Sequence, residues 1–221
     1  ESVDQEGFDK EALASTLRTR LGYESAAFHH WTGLIEFSGV STVPGGHGDY
    51  NDTINGKVDY PVIADPEGAV VNLAHASYDG LWGSTIRIGR QHLIFDNSRF
   101  IGSAPWRQTE QVFDAVSIHQ PDPAGVDVVY AYIDHINRVL GPNSPNGDLD
   151  SDSHVLHLSR DLEGVGELAG YGYYIDVPDS AIASTFTYGL RLDGERSVEE
   201  WSVLYTAELA HQSDAADNPN D

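Results

Sequence analysis

The sequence predicts an all-β chain folded as an antiparallel transmembrane β-barrel. Three observations carry this. Apolar and polar residues alternate at period two along almost the whole chain. The links between alternating segments are tight on one side and long, rich in Gly, Pro, Asn and Asp, on the other, as in outer-membrane barrels. The polar face of several segments carries charge along its length, which the dry core of a soluble β-sandwich would not tolerate.

The segments follow in order. Segment 12–24 sets Leu13, Leu17, Leu21 and Tyr23 against Ala14, Thr16, Arg18, Arg20 and Gly22. Segment 27–43 sets Trp31, Ile35 and Phe37 against His30, Thr32, Glu36 and Ser38. Less regular strands read at 70–79, 83–95, 112–120, 125–139 and 153–162. Segment 167–177 sets Tyr171, Tyr173, Ile175 and Val177 against Gly170, Gly172, Tyr174 and Asp176; the tyrosine face is read as the outward one. Segment 183–193 sets Phe186, Tyr188, Leu190 and Leu192 against Thr185, Thr187, Gly189, Arg191 and Asp193, and 198–211 sets Trp201, Val203, Tyr205 and Leu209 against Ser202, Thr206 and Glu208. The total is about ten strands of the length that crosses a bilayer. Tight links are expected at Glu24-Ser25, Asp79-Gly80, Glu163-Gly164 and Asp193-Gly194-Glu195, and long loops at 44–67, 96–110, 141–153 and after 212. Aromatic residues gather near strand ends, as interfacial girdles do.

Composition narrows the function. Acidic residues number 35 against 12 basic ones, for a formal net charge of −23, so nucleic acid is excluded as a partner of the whole chain. There is no cysteine, hence no disulfide or thiol chemistry. No run of apolar residues is long enough for a membrane-spanning helix. No nucleophile elbow or phosphate-binding glycine loop occurs, and the ten histidines show no zinc spacing, so an enzyme and a resident cofactor are not expected. Asp148, Asp150 and Asp152 begin a calcium-loop pattern, but Ser153 stands where such a loop needs glycine; a solvated acidic loop is the reading, with a surface calcium site as the alternative.

Against the acidic background, four of the ten arginines (Arg87, Arg90, Arg99 and Arg107) fall within 21 residues. Phase puts Arg18, Arg20, Arg87 and Arg191 on the polar face, where each either lines water or pairs with a carboxylate such as Glu36, Asp176, Asp193 or Glu208. Arg90 is out of phase with Arg87 unless Gly89 makes a bulge. Segment 96–110, too polar for lipid and too aromatic for a free loop, is expected to fold inward. There Arg99 and Arg107 either present cations, with Phe100 or Trp106 stacking on sugar rings, or form a plug neutralised by Asp96 and Asp114.

The run from Arg87 to Val116, RIGRQHLIFDNSRFIGSAPWRQTEQVFDAV, resembles the alginate-export-type outer-membrane β-barrels, which carry a similar GRQ…DN.RF.G…WRQ…..FDA run. Ala207–Asp214 (AELAHQSD) and Ala64–Gly68 (ADPEG) are similar to that family as well. The resemblance implies a barrel of roughly eighteen strands in the bacterial outer membrane. It also implies a lumenal arginine path, for which the matching positions are Arg87, Arg90, Arg99 and Arg107. Residues 1–221 then form a single barrel domain, expected to be the N-terminal part of a larger barrel. The expected function is a porin, contacting outer-membrane lipid, that passes an anionic or polar solute such as an acidic saccharide; a homo-oligomer is open. The expected lining is Arg18, Arg20, Arg87, Arg90, Arg99, Trp106, Arg107 and Arg191. The competing reading is a soluble β-sandwich that binds or cleaves polysaccharide.

Overall fold

The computed structural model describes residues 1–121, 124–198 and 200–219. In chain order the strands are β1 (Ser2–Val3), β2 (Ala12–Ala14), β3 (Thr16–Glu24), β4 (Trp31–Thr42), β5 (Gly48–Asp49), β6 (Gly68–Leu81), β7 (Ser84–Gln91), β8 (Val112–Gln120), β9 (Asp127–Asn137), β10 (Asp148–Leu162), β11 (Gly166–Ile175), β12 (Thr185–Val198) and β13 (Trp201–Asp214). A short 3₁₀ turn, Pro178–Ala183, precedes β12. Ten strands form one antiparallel sheet in the order β13-β12-β11-β10-β9-β8-β7-β6-β4-β3, a meander in which each strand pairs with its chain neighbours. The sheet is not closed: β3 and β13 are its edges. The remaining strands, β1, β2 and β5, make a small three-stranded sheet over a cluster of Ala12, Ala14, Tyr50 and Ile63.

The two faces of the large sheet differ in chemistry. Leu17, Leu21, Ile35, Phe37, Leu190 and Leu209 are exposed on one face, with Leu190 at 59% and Leu209 at 81%. Trp31, Tyr78, Trp82 and Trp201 stand beside the short links of that face, two of them in contact with ring centroids 4.9 Å apart. Apolar surface on this scale is unfavourable in water and is matched by hydrocarbon. The opposite face carries Arg18, Arg20, Glu36, Ser77, Arg87, Ser117, Thr187, Arg191 and Glu208.

Segment 92–111, between β7 and β8, lies across this second face. It reaches β3 through Arg18 and Arg20, and β13 through Glu208. A single segment touching both edge strands on one face makes that face the inside of a curved wall. Part of the inside is dry: Leu93, Phe95 and Ile101 of the segment pack with Phe113, Ala131, Ile133, Val155, Tyr171 and Tyr173 of the wall.

That packing overturns one expectation. Tyr173 does not face outward; it points in and is 1% exposed, 5.8 Å between ring centroids from Phe95 and 4.9 Å from Tyr171. Alternation gives two faces but not their sign. In β11 the outward face is the one with Leu168, Gly170, Gly172 and Tyr174, and the tyrosines face in because the inner segment supplies rings to meet them. Gly189, paired with Tyr171, has no Cβ, and the Tyr171 ring occupies that space on its way to Glu208.

Some boundaries also move. Segment 12–24 breaks at Ser15, and its first part joins the small sheet. Residues 25–30 form the link before β4, which starts at Trp31. Asp79-Gly80 and Asp193-Gly194-Glu195 lie within strands rather than at turns. Gly194 reads as a turn residue, yet it sits beneath the ring of Tyr205, which fills the place of its missing side chain. Asp148–Asp152, expected in a loop, begins β10 instead.

Candidate functional site

The inner face is organised around carboxylates that the inner segment and the wall share. Glu110, in the segment just before β8, is 5% exposed. Arg20 bonds it from β3, and Arg18 lies 3.6 Å away. His92 Nε2 is 2.9 Å from it, and Asn72 of β6 donates to it at 3.3 Å. Asn72 also donates to Glu36 at 2.7 Å, and Glu36 is 3.8 Å from Arg20. Burial alone would raise the Glu110 carboxyl, but hydrogen bonds from Arg20, Asn72 and His92 outweigh it and hold it below its ordinary value. Arg18 donates in addition to the backbone carbonyl of Arg107 at 2.8 Å, so β3 grips the segment at two points.

A second hub forms at the other edge. Glu208 of β13 takes Arg99 at 3.0 Å and the Tyr171 hydroxyl at 2.8 Å, with Arg191 at 3.6 Å. Arg191 also bonds Asp193, its neighbour on the same face two residues along β12. Between the hubs, Asp96 pairs with His157 at 3.1 Å, and the His157 ring stacks on Phe95 at 5.0 Å. Arg107 reaches Glu1 at 3.3 Å.

The expected site residues therefore divide. Arg18, Arg20 and Arg107 gather at the β3 side, Arg99 and Arg191 gather at Glu208, and Arg87 stands apart from both. Asp96 and Asp114 do not neutralise Arg99 and Arg107, because they are committed to His157 and Arg90. Arg90 is in register with Ala74 and Asp114, opposite in phase to Arg87, and Asp114 holds it by two bonds of 2.8 and 2.7 Å. Gly89 beside it has φ of +117°, and a Cβ there would collide with the Ala74 carbonyl, so the backbone at this point requires glycine. Phe100 packs on Tyr171 and is not free to stack on a sugar, whereas Trp106 is 76% exposed. Arg87 faces inward, and among the described residues its guanidinium has Ser77 as its hydrogen-bond partner, at 3.3 Å.

Asp150 pairs with His135 at 2.9 Å, and among the described residues no group of three or more metal-ligating side chains is placed to hold an ion. Phase reasoning found Glu36 and Glu208. It missed Glu110, Asn72 and His92, because a segment without regular structure has no period to read and Asn72 sits at a register shift in β6.

No family model matches the chain, and no curated protein matches it. Among solved structures it is similar to OccD3 (OpdP) of Pseudomonas aeruginosa, an outer-membrane porin, with a TM-score of 0.64 at 11% identity. The likeness covers 92% of this chain and 45% of that one, so the chain spans a little under half the porin's length. What this shows is the fold: an all-β antiparallel sheet of the outer-membrane porin-like β-barrel kind.

Proposed function

We infer that the chain is part of an outer-membrane channel that passes an anionic or polar solute along its inner face, past segment 92–111. One observation carries the reading: a single curved sheet has apolar side chains exposed on its convex face and a hydrogen-bonded ionic lining on its concave face. A bilayer on one side and water on the other suits this distribution, whereas a soluble sandwich would bury the apolar face and expose the charged one. The similarity to OccD3 supports the same fold-level picture. An acidic saccharide is the solute suggested by the resemblance to alginate-export barrels. Trp106, exposed on the inner segment, offers a surface for a sugar ring. Arg18, Arg20, Arg99, Arg107 and Arg191 have carboxylate partners, so their part is to hold segment 92–111 across the wall and to present mixed charge to the passing solute. Catalysis has no role in this reading.

The test is conductance of the full-length protein in planar bilayers, with reversal potentials in a KCl gradient. A water-filled pore that favours chloride, blocked by a uronate oligomer, is the expected result. A protein that leaves membranes without detergent, or that forms no pore, refutes the channel.

A further inference from the structure

Each expected site arginine but one has a carboxylate within 4.0 Å among the described residues: Arg18 and Arg20 have Glu110, Arg90 has Asp114, Arg99 and Arg191 have Glu208, and Arg107 has Glu1. The exception is Arg87. Its Nε donates to Ser77 at 3.3 Å, which leaves the Nη edge of the guanidinium for another acceptor. It stands in register with Ser117 of β8, next to the pair Thr85–His119. It also lines a cavity of about 240 Å³ with His92, His119, Ser117, Leu93 and Val129, between β7, β8, β9 and the start of the inner segment.

We propose that Arg87, with His92 and His119, forms a binding subsite for a small monocarboxylate on the inner wall. The planar fork of a guanidinium matches the two oxygens of a carboxylate. Leu93 and Val129 give the short apolar body of such a molecule a dry contact. The charged and titratable groups around the cavity are few. His75 on β6 contacts Ser77 at 3.4 Å, and Asp79 at the end of β6 accepts from Thr85 at 2.7 Å. Glu110 engages His92, and Asp96 engages His157 of β10. The two carboxylates of the inner segment beside the cavity, Glu110 and Asp96, are thus occupied, and Asp79 is turned to Thr85.

The proposal rests on the channel reading for its purpose, but its test does not require conduction. Butyrate is titrated into the full-length protein in micelles while the histidine Cε1–H signals are followed by NMR, with n-butanol as the uncharged control. In the wild type, butyrate shifts the His119 and His92 signals saturably and n-butanol does not. Arg87→Gln, which keeps a donor for Ser77, raises the midpoint about tenfold. His119→Gln, which takes the imidazole out of the cavity, raises it about threefold. The proposal is overturned if no signal moves, if n-butanol acts as butyrate does, or if both variants bind as the wild type does. Should Arg87→Gln not fold, as judged by heat-modifiable gel migration, the decision passes to His119→Gln: a butyrate midpoint equal to that of the wild type overturns it. Binding in a protein that shows no anion preference refutes the anion path and leaves the subsite standing; conduction without binding refutes the subsite alone.

Discussion

Glu110→Gln tests how the inner segment is held. The wild-type carboxylate is 5% exposed and meets Arg20, Arg18, His92 and Asn72. Removing one member of a buried ion pair costs about 3–5 kcal/mol when the remaining charge is left without compensation. Here the remaining cations are better placed. The Arg20 side chain is 30% exposed and keeps Glu36 at 3.8 Å, while Arg18 is 26% exposed and keeps the Arg107 carbonyl. Solvent and these partners recover part of the loss, and the amide keeps an acceptor for Asn72, so the expected cost is about 2 kcal/mol. The measurement is urea unfolding of the full-length protein in micelles, followed by tryptophan fluorescence, for Glu110→Gln, Arg20→Gln and the double variant. A coupling energy of about 1 kcal/mol between the two is expected. Acid adds an independent check. The Glu110 carboxyl is held below its ordinary 4.5, so the native state binds its proton less readily than the unfolded chain does. Its stabilisation is complete above that ordinary value and is lost as pH falls through the depressed one. Below pH 4.5 the wild type should therefore lose its advantage over Glu110→Gln. A cost under about 0.5 kcal/mol, with no convergence in acid, would refute the view that this carboxylate anchors the segment.

Tyr173 gives a contrast within one residue. Tyr173→Ala should cost about 3–4 kcal/mol by emptying the contact with Phe95 and Tyr171 and should speed proteolysis of segment 92–111; stability unchanged in urea unfolding would count against the inward placement. Tyr173→Phe should be neutral or stabilising by about 1 kcal/mol, since the hydroxyl is buried without a hydrogen-bond partner among the described residues; a loss above that in the same assay would reveal a partner. Gly89→Ala should destabilise by about 2 kcal/mol through its left-handed φ and the collision with the Ala74 carbonyl, and an unchanged unfolding midpoint would contradict that geometry. Leu190→Arg on the convex face should cost about 2–4 kcal/mol in lipid vesicles, as arginine does at a bilayer midplane, and a substitution without cost there would speak for a water-facing surface.

Strand identity was legible in the sequence because it depends on period two, and the outward Leu17, Ile35 and Leu190 were legible because their faces are uniformly apolar. The sign of the face was not legible at β11. Tyrosine suits an interface girdle and an inner core equally, and only the arrival of Phe95 and Phe100 decides between them. Turn positions were misread where glycine serves another purpose: Gly194 makes room for Tyr205 rather than bending the chain. The arginine cluster was visible as composition, but its division into two hubs was not. Arg99 meets Glu208 across 109 residues of sequence, a pairing that depends on where an irregular segment crosses the sheet.

A charge of −23 opposes an anion path unless its carboxylates lie in the loops or are paired, and their distribution meets that condition. Asp134 and Asp150 are largely exposed, at 63% and 65% of their side chains, and pair with His135 near the long loop between β9 and β10. Charges of that kind are screened within about 8 Å at physiological salt. Inside, Glu36, Glu110, Glu208, Asp96 and Asp193 each lie against an arginine or a histidine. On an inner face so balanced, a guanidinium without a carboxylate among the described residues weighs most in the local charge. It does so where the wall and the inner segment exclude part of the water, which lowers the effective dielectric and strengthens the attraction. On the proposed channel reading, anion preference depends less on how many of the expected arginines face inward than on which is left without a carboxylate, and among the described residues that one is Arg87.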